Sequence, residues 1–293
     1  MRYALFLGCL IPTRLPQIEA SSRDALSALG VEVVETTKFL CCPSPVWIKP
    51  MDVNTWLAVA ARNLCVAEEE GLDVLALCPG CSNTLIEANH VLKNDKEARE
   101  HINEILKETD REFRGTIKVK HLLRVLHEDV GVSRIEEEVR NPLNIKMAPH
   151  YGCHVLRPSE VMRFDDVMTP RSMDDIIKAL GGEPVDYEDK DLCCGSALGT
   201  ADEESSLKIA RAKLRSISSS GAEAISLVCP MCFLQFDLGQ MMILRKFRER
   251  YDLPVFYLSQ LINLAMGMGT DEIGVGLHKM SADKVFEKVS GSR

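Results

Sequence analysis

The chain has 293 residues, 46% of them hydrophobic, with 43 acidic against 35 basic side chains and a formal net charge of −8. That length is a prior for about two domains, and the composition is that of an ordinary globular protein. The acidic balance, with no basic stripe to neutralise phosphates, excludes nucleic acid as a partner while leaving room for local basic pockets.

The start, MRYALFLGCLIPTRLPQ, has too short an apolar run for a signal peptide and no small-residue cleavage site. No stretch approaches the roughly 18 uncharged apolar residues of a membrane span. The expected location is therefore the cytoplasm, where eleven cysteines signify metal or redox chemistry rather than a disulfide framework.

In chain order, a strand over residues 3–9 runs into Gly8-Cys9, followed by Pro12 and a helix over 17–29 that Gly30 closes. Glycine just past the last apolar position is the usual helix stop. A strand over 31–35 leads into Cys41-Cys42, and a long helix over 53–70 ends at Gly71. The buried strand 72–78 enters Cys78-Pro-Gly-Cys81, and a helix is expected from Ser82. The charged stretch 95–114 carries Ile102, Ile105 and Leu106 at helical spacing, which predicts a solvated helix with one buried stripe. A further short strand and helix begin at residue 117.

The same order then recurs. A strand over 145–153 runs into Gly152-Cys153, with Pro158 after it, and a helix over 172–180 is closed by Gly181-Gly182. The strand 184–187 precedes Cys193-Cys194, and a helix over 203–219 ends at Gly221. The strand 222–229 enters Cys229-Pro-Met-Cys232, a helix is expected from Phe233, a short strand and helix begin at 253, and a closing helix covers 282–289. The break falls near Arg140-Asn-Pro142, after the charged residues 128–140, which divides the chain into domains 1–141 and 142–293.

Strands alternating with helices predict an α/β fold: two similar domains related by a pseudo-twofold axis, each a small, mostly parallel sheet flanked by helices. In such sheets ligands gather at the carboxyl ends of strands. Every cysteine group follows such an end, so five thiols in each half can converge.

Ten of the eleven cysteines form two copies of one pattern. Cys9, Cys41-Cys42 and Cys78-x-x-Cys81 are separated by 31 and 35 residues; Cys153, Cys193-Cys194 and Cys229-x-x-Cys232 by 39 and 34. Thiolates are soft ligands for iron–sulfur clusters and zinc. A structural zinc site takes four ligands as two close pairs, and a cubane 4Fe–4S cluster takes four cysteines. Five thiols with a vicinal pair favour iron–sulfur over zinc, in a cluster that is not a plain cubane. If the halves pack about a twofold axis, their centres meet across a cleft suited to a disulfide, whose reduction takes two electrons and yields two thiolates.

The doubled pattern resembles the cysteine-rich CCG domain family over essentially the whole chain, and within it the B subunits of heterodisulfide reductase from methanogenic archaea. The resemblance implies two noncubane 4Fe–4S clusters. Cys9, Cys41, Cys42, Cys78 and Cys81 would hold the first, and Cys153, Cys193, Cys194, Cys229 and Cys232 the second. It further implies a catalytic polypeptide that reduces the mixed disulfide of coenzyme M and coenzyme B to the two thiols. Electrons would arrive through an iron–sulfur partner, the C subunit, from a flavin-containing one, the A subunit, fed by a hydrogenase or a formate dehydrogenase. The alternative within the same family is an iron–sulfur electron-transfer subunit for 2-hydroxy acid oxidation or sulfur metabolism, whose clusters act only as relays. Two features depart from the family pattern: Pro43 follows the first pair where Gly195 follows the second, and the last gap of the second copy is one residue short.

Outside the cysteines, His154 directly follows Cys153 and is a candidate proton donor to a nascent thiolate, with His150 just ahead of it. Arg14, Lys38, Lys49, Arg157 and Arg163 follow cysteines or flank the first pair, and guanidinium or ammonium groups there suit a substrate carrying sulfonate, phosphate or carboxylate. Cys65 has no counterpart in the second half and reads as a core cysteine. Met231, Met241, Met242, Met266 and Met268 read as packing or subunit interface. No spacing assigns His278 and Lys279 a role.

Overall fold

Each half of the chain builds one four-stranded sheet in which every neighbouring pair is parallel. This computed structural model describes residues 1–290. The first sheet contains β1 (Arg2–Phe6), β2 (Glu32–Val34), β3 (Asp73–Ala76) and β4 (Val119–His121) in the order β2-β1-β3-β4. The second contains β5 (Lys146–His150), β6 (Glu183–Pro184), β7 (Ala224–Leu227) and β8 (Val255–Tyr257) in the matching order β6-β5-β7-β8. The central strands are buried on both faces, as parallel sheets covered by helices require: Ala4, Leu5 and Phe6 of β1 and Val74, Leu75 and Ala76 of β3 are all inaccessible.

The chain leaves β1 toward β2 on one side and leaves β3 toward β4 on the other. The carboxyl ends of β1 and β3 therefore open a crevice at the point where the strand order reverses, the usual ligand position in such sheets. Cys9 and Cys78 emerge there, and Cys153 and Cys229 emerge at the same place in the second sheet.

The long helices are defined by their ends. Asp52 caps Val53–Glu70 by accepting from the backbone N–H groups of Asn54 and Thr55, and Asp202 caps Glu203–Ser219 by accepting from that of Ser205. Gly71, at φ 65°, closes the first of these helices.

Four expectations shift. The helices after β3 and β7 are Pro79–Asn94 and Pro230–Phe247, starting three residues earlier than Ser82 and Phe233. Proline is preset for the first helical position, so Cys81 and Cys232 sit in first turns. The strand expected over 184–187 is only Glu183–Pro184, because proline at a sheet edge cannot extend the ladder. In the helix Lys96–Leu106, Ile102 and Leu106 are buried but Ile105 is 40% exposed, so the stripe is narrower than expected. The charged segment before the second half contains a π-helical turn, Val125–Gly131.

The two halves share one core. A single apolar cluster runs from Tyr3 and Leu5 through Met147 and Ile225 to Tyr257 and Leu261, and a second lies among the helices of the first half, with Trp56, Leu85 and Phe113. Polar contacts pin the same seam. The Ser21 and Ser22 hydroxyls lie 2.8 and 3.1 Å from that of Ser259, and Asn263 Nδ2 donates to the Ser21 carbonyl at 2.9 Å. Among the described residues, no helix is long and apolar enough to cross a membrane.

Candidate metal centres

Cys78 and Cys229 are the N-cap residues of Pro79–Asn94 and Pro230–Phe247, both with extended backbones, and Cys81 and Cys232 follow in the first turns. Helix N-termini favour negative charge, so these positions stabilise thiolates. The remaining thiols are brought to them by the loops after β1, β2, β5 and β6. Cys42 Sγ lies 3.1 Å from Cys81 Sγ, and Cys194 Sγ lies 3.3 Å from Cys232 Sγ.

Glycine makes the approach possible. Gly8 has φ +70°, and a Cβ there would fall 2.7 Å from Cys81 Sγ. Gly152 has φ +77°, and its Cβ would stand 3.4 Å from Cys229 Cβ and 4.0 Å from Cys232 Sγ. The Gly-Cys that ends each first strand thus leaves the space that the Cys-x-x-Cys sulfurs fill.

The vicinal pairs are held from the same helical positions by different chemistry. Thr84 Oγ1 donates to the Pro43 carbonyl at 3.0 Å, whereas Gln235 Nε2 donates to the Cys194 carbonyl at 3.3 Å and to Ser206 Oγ at 3.0 Å. Gly195, at φ +84°, gives the second pair a tight turn against Ile209, and its N–H points to Cys193 Sγ at 3.4 Å. Pro43 takes that place in the first half, where Thr84 anchors its carbonyl.

Each set is open on one side. Cys9, Cys41 and Cys193 are exposed; Cys42, Cys78 and Cys153 are half-buried; Cys81, Cys194, Cys229 and Cys232 are buried. The sulfurs hold one another's protons. Cys42 is drawn down to about 5 by its hydrogen bonds with Cys41 and then Cys81, and Cys193 to about 2 by those with Cys153 and then Cys194. Cys78 is held well below the ordinary thiol range first by Cys229 and then by Cys81. The two sets approach one another here: a Cβ on Gly152 would lie 3.4 Å from Cys229 Cβ and 3.7 Å from Pro79 Cγ. Cys65 stands apart in the core of the first half, its thiol pushed up to about 12 by burial.

Behind Cys78 and Cys229, the last residue of β8 grips the strand ends. The Tyr257 hydroxyl lies against the carbonyls of Leu77 and Val228, 3.0 Å from the latter. The buried His121 ends β4 at the equivalent place; its Nδ1 accepts from the Leu123 N–H at 3.2 Å, and its Nε2 has no hydrogen-bond partner among the described residues.

His154 does not stay with its own half. A Cβ on Gly80 would lie 3.8 Å from Cys78 Sγ and 4.0 Å from His154 Nδ1, which places the imidazole over the first Cys-Pro-Gly-Cys turn. With Lys49, Asn83, Glu87, Arg157 and Glu160 it lines an open cavity of about 520 Å³ between the halves. Of the five basic candidates, only Lys49 and Arg157 reach this cavity. Lys49 pairs with Glu87, and Arg157 pairs with Asp191 at 3.1 Å. Lys38 pairs with Glu70, Arg163 donates to the Glu160 carbonyl, and Arg14 is exposed. His278 packs edge-on to Phe233 and bonds Gln260, and the Lys279 N–H donates to Asp237, so both tie the tail down.

Sequence reasoning does not single out Gln235, Lys213, His121 or Tyr257, and it marks His150 only for its place in the chain. His150 is buried, neither ring nitrogen has a hydrogen-bond partner among the described residues, and it lies within 4.8 Å of the Cys194 and Cys232 sulfurs.

Two parallel sheets with a doubled open thiol set define a class, and comparison with known proteins agrees. The cysteine-rich domain (CCG) matches residues 3–86 and again 147–237. In Methanosarcina acetivorans, the B subunit of the ferredoxin/F(420)H(2)-dependent CoB-CoM heterodisulfide reductase is 38% identical over 100% of this chain and 99% of its own length. The 8-methylmenaquinol:fumarate reductase membrane anchor subunit of Wolinella succinogenes is 31% identical over 97% of this chain and 98% of its own. A hypothetical protein from Helicobacter pylori shares the fold, with a TM-score of 0.77 at 17% identity, over 96% of this chain and 52% of that one. The chain belongs to the cysteine-rich CCG domain family, within the group of heterodisulfide reductase B subunits.

Proposed function

We propose that this chain is the disulfide-reducing subunit of a heterodisulfide reductase. The observation that carries the reading is the approach of the two five-thiol sets at the starts of their Cys-x-x-Cys helices, where a Cβ on Gly152 would lie 3.4 Å from Cys229 Cβ and 3.7 Å from Pro79 Cγ. Cys9, Cys41, Cys42, Cys78 and Cys81 hold one noncubane 4Fe–4S cluster, and Cys153, Cys193, Cys194, Cys229 and Cys232 hold the other. The donor set fits: it is all sulfur, open to solvent on one side, and placed where helix ends favour anions. The domain break is placed between residues 141 and 142.

When bound, the clusters supply one electron each. The substrate disulfide takes up two electrons and two protons, its S–S bond breaks, and two thiols leave. The chain's own residues orient this exchange. The cavity bearing Lys49 and Arg157 binds the anionic end of the coenzyme M–coenzyme B heterodisulfide, and His154, over the first Cys-x-x-Cys turn, gives a proton to the departing sulfur. A cytoplasmic assembly supplies the electrons through an iron–sulfur partner from a flavin-containing one, with hydrogenase or formate dehydrogenase upstream. Relatives named as heterodisulfide reductase subunits over the full length support this choice.

The test is anaerobic purification with iron and labile-sulfide analysis, followed by turnover of the heterodisulfide with an artificial one-electron donor. Two clusters per chain and formation of both thiols are expected. Clusters without turnover would leave a relay role, and an iron-free chain would overturn the reading.

A further inference from the structure

The two thiol sets occupy equivalent places, yet the polar groups behind them differ. The last residue of β1 is Phe6 and the last residue of β5 is His150, each two positions ahead of the glycine that precedes the first cysteine. Phe6 packs edge-on to Phe39, with ring centres 5.0 Å apart, in an apolar setting. His150 packs edge-on to Phe236 at 4.9 Å and is 1% exposed, and both of its nitrogens lack a protein partner among the described residues. Buried polar atoms are as a rule paired. The groups within reach are the Cys194 and Cys232 sulfurs, within 4.8 Å, and whatever those sulfurs hold.

A second difference points the same way. Counted back from Gly71 and Gly221, Asn63 and Lys213 stand at the same position of the equivalent long helices. Asn63 is neutral, and its Oδ1 accepts from the Leu40 N–H at 2.8 Å, just ahead of Cys41. Lys213 is 2% exposed, its amine donates to the Asp189 carbonyl, burial draws its pKa down, and the Cys194 and Cys232 sulfurs lie in its field. At these two positions the second half therefore sets a buried imidazole and a buried lysine behind its sulfurs, where the first half has a phenyl ring and an amide; the first half's own buried imidazole, His121, ends β4, where the second half has Tyr257.

We propose that His150 donates a ring N–H to a sulfur of the second centre and, with Lys213 behind it, makes that centre the stronger electron acceptor of the two. This rests on the reading that both sets hold iron–sulfur clusters. A donor or positive charge beside a cluster favours the more negative, reduced form, so it raises the reduction potential. With clusters bound, an electron delivered to the first centre by a donor would pass on to the second, the first losing one electron and the second gaining it, with no atom transferred.

The experiment is a redox titration of the cluster-loaded full chain, read by electron paramagnetic resonance, with no substrate present. Wild type should show two separate midpoints. His150→Phe, which installs the first half's residue, should lower the upper midpoint and leave the lower one in place. His150→Gln, which keeps an N–H, should restore part of the separation, and Lys213→Asn should lower the upper midpoint as well. A single wild-type midpoint, or full iron with an unmoved upper midpoint in His150→Phe, overturns the inference. If His150→Phe does not load, unmoved midpoints in His150→Gln and Lys213→Asn overturn it equally. Loss of iron from the second centre in both His150 variants makes the residue a ligand and also overturns it. A wild-type chain without iron overturns the cluster reading itself, a separate failure.

Discussion

The Tyr257 hydroxyl, at the end of β8, donates toward the carbonyls of both Leu77 and Val228, the residues just before the two Cys-x-x-Cys motifs. One phenol thus ties together the strand ends of both halves. Tyr257→Phe removes the hydroxyl and leaves buried carbonyls short of a donor. It should cost about 1–3 kcal/mol, read as a lowered denaturation midpoint, with the iron content less tightly retained on dilution.

Gly8→Ala should empty the first centre. The new Cβ would stand 2.7 Å from Cys81 Sγ on a backbone at φ +70°. Gly71→Ala is the control, because its φ is +65° and a Cβ there meets nothing within 4 Å. Backbone strain alone costs about 1–2 kcal/mol, so Gly71→Ala should lower stability and keep its iron. Metal analysis of the two proteins separates crowding at the sulfurs from strain.

Cys65→Ala should retain both clusters, since among the described residues that buried thiol is hydrogen-bonded to none of the other ten. The small cavity should cost roughly 1 kcal/mol. Cys41→Ala, in contrast, should abolish the first centre's spectrum with little loss of global stability. Iron retained in Cys41→Ala would sink the five-ligand assignment.

His154→Gln should lower turnover on the order of 100-fold with iron and midpoint potentials unchanged, the usual scale for losing a positioned proton donor. Unaltered turnover would remove His154 from the reaction and leave it as a cavity wall.

Asp237 offers a pH-dependent test. It is buried, and burial outweighs its bonds from the Met280 and Lys279 N–H groups, so its acid strength falls. A carboxyl whose folded pKa is raised contributes stability below its unfolded pKa and loses it as pH rises through the folded one. Asp237→Asn should therefore gain on wild type in denaturation midpoint as pH climbs above the ordinary aspartate value of about 4.

Much of this organisation is legible in the chain. The doubled cysteine spacing and the matched glycines, Gly71 with Gly221, mark both halves without any knowledge of contacts, and the strand–helix alternation predicts two parallel sheets. The start of each Cys-x-x-Cys helix lies earlier than spacing suggests, and Pro79 and Pro230 are the signal for it. Ile105 departs from expectation because helical spacing alone does not say how wide a face the neighbours cover. The approach of His154 to the opposite half and the role of Gln235 depend on segments that meet only after folding, so no local pattern carries them. Phe6 against His150 and Asn63 against Lys213 are within reach of the sequence: laying one half on the other brings out both mismatches.

The common core has a kinetic corollary. Because Tyr3, Met147, Ile225 and Leu261 belong to one continuous apolar mass, the two thiol sets are anchored on a common packed core. On the proposed reading, the pace of electron passage would be set from outside this packed core, by arrival of the disulfide or docking of the donor.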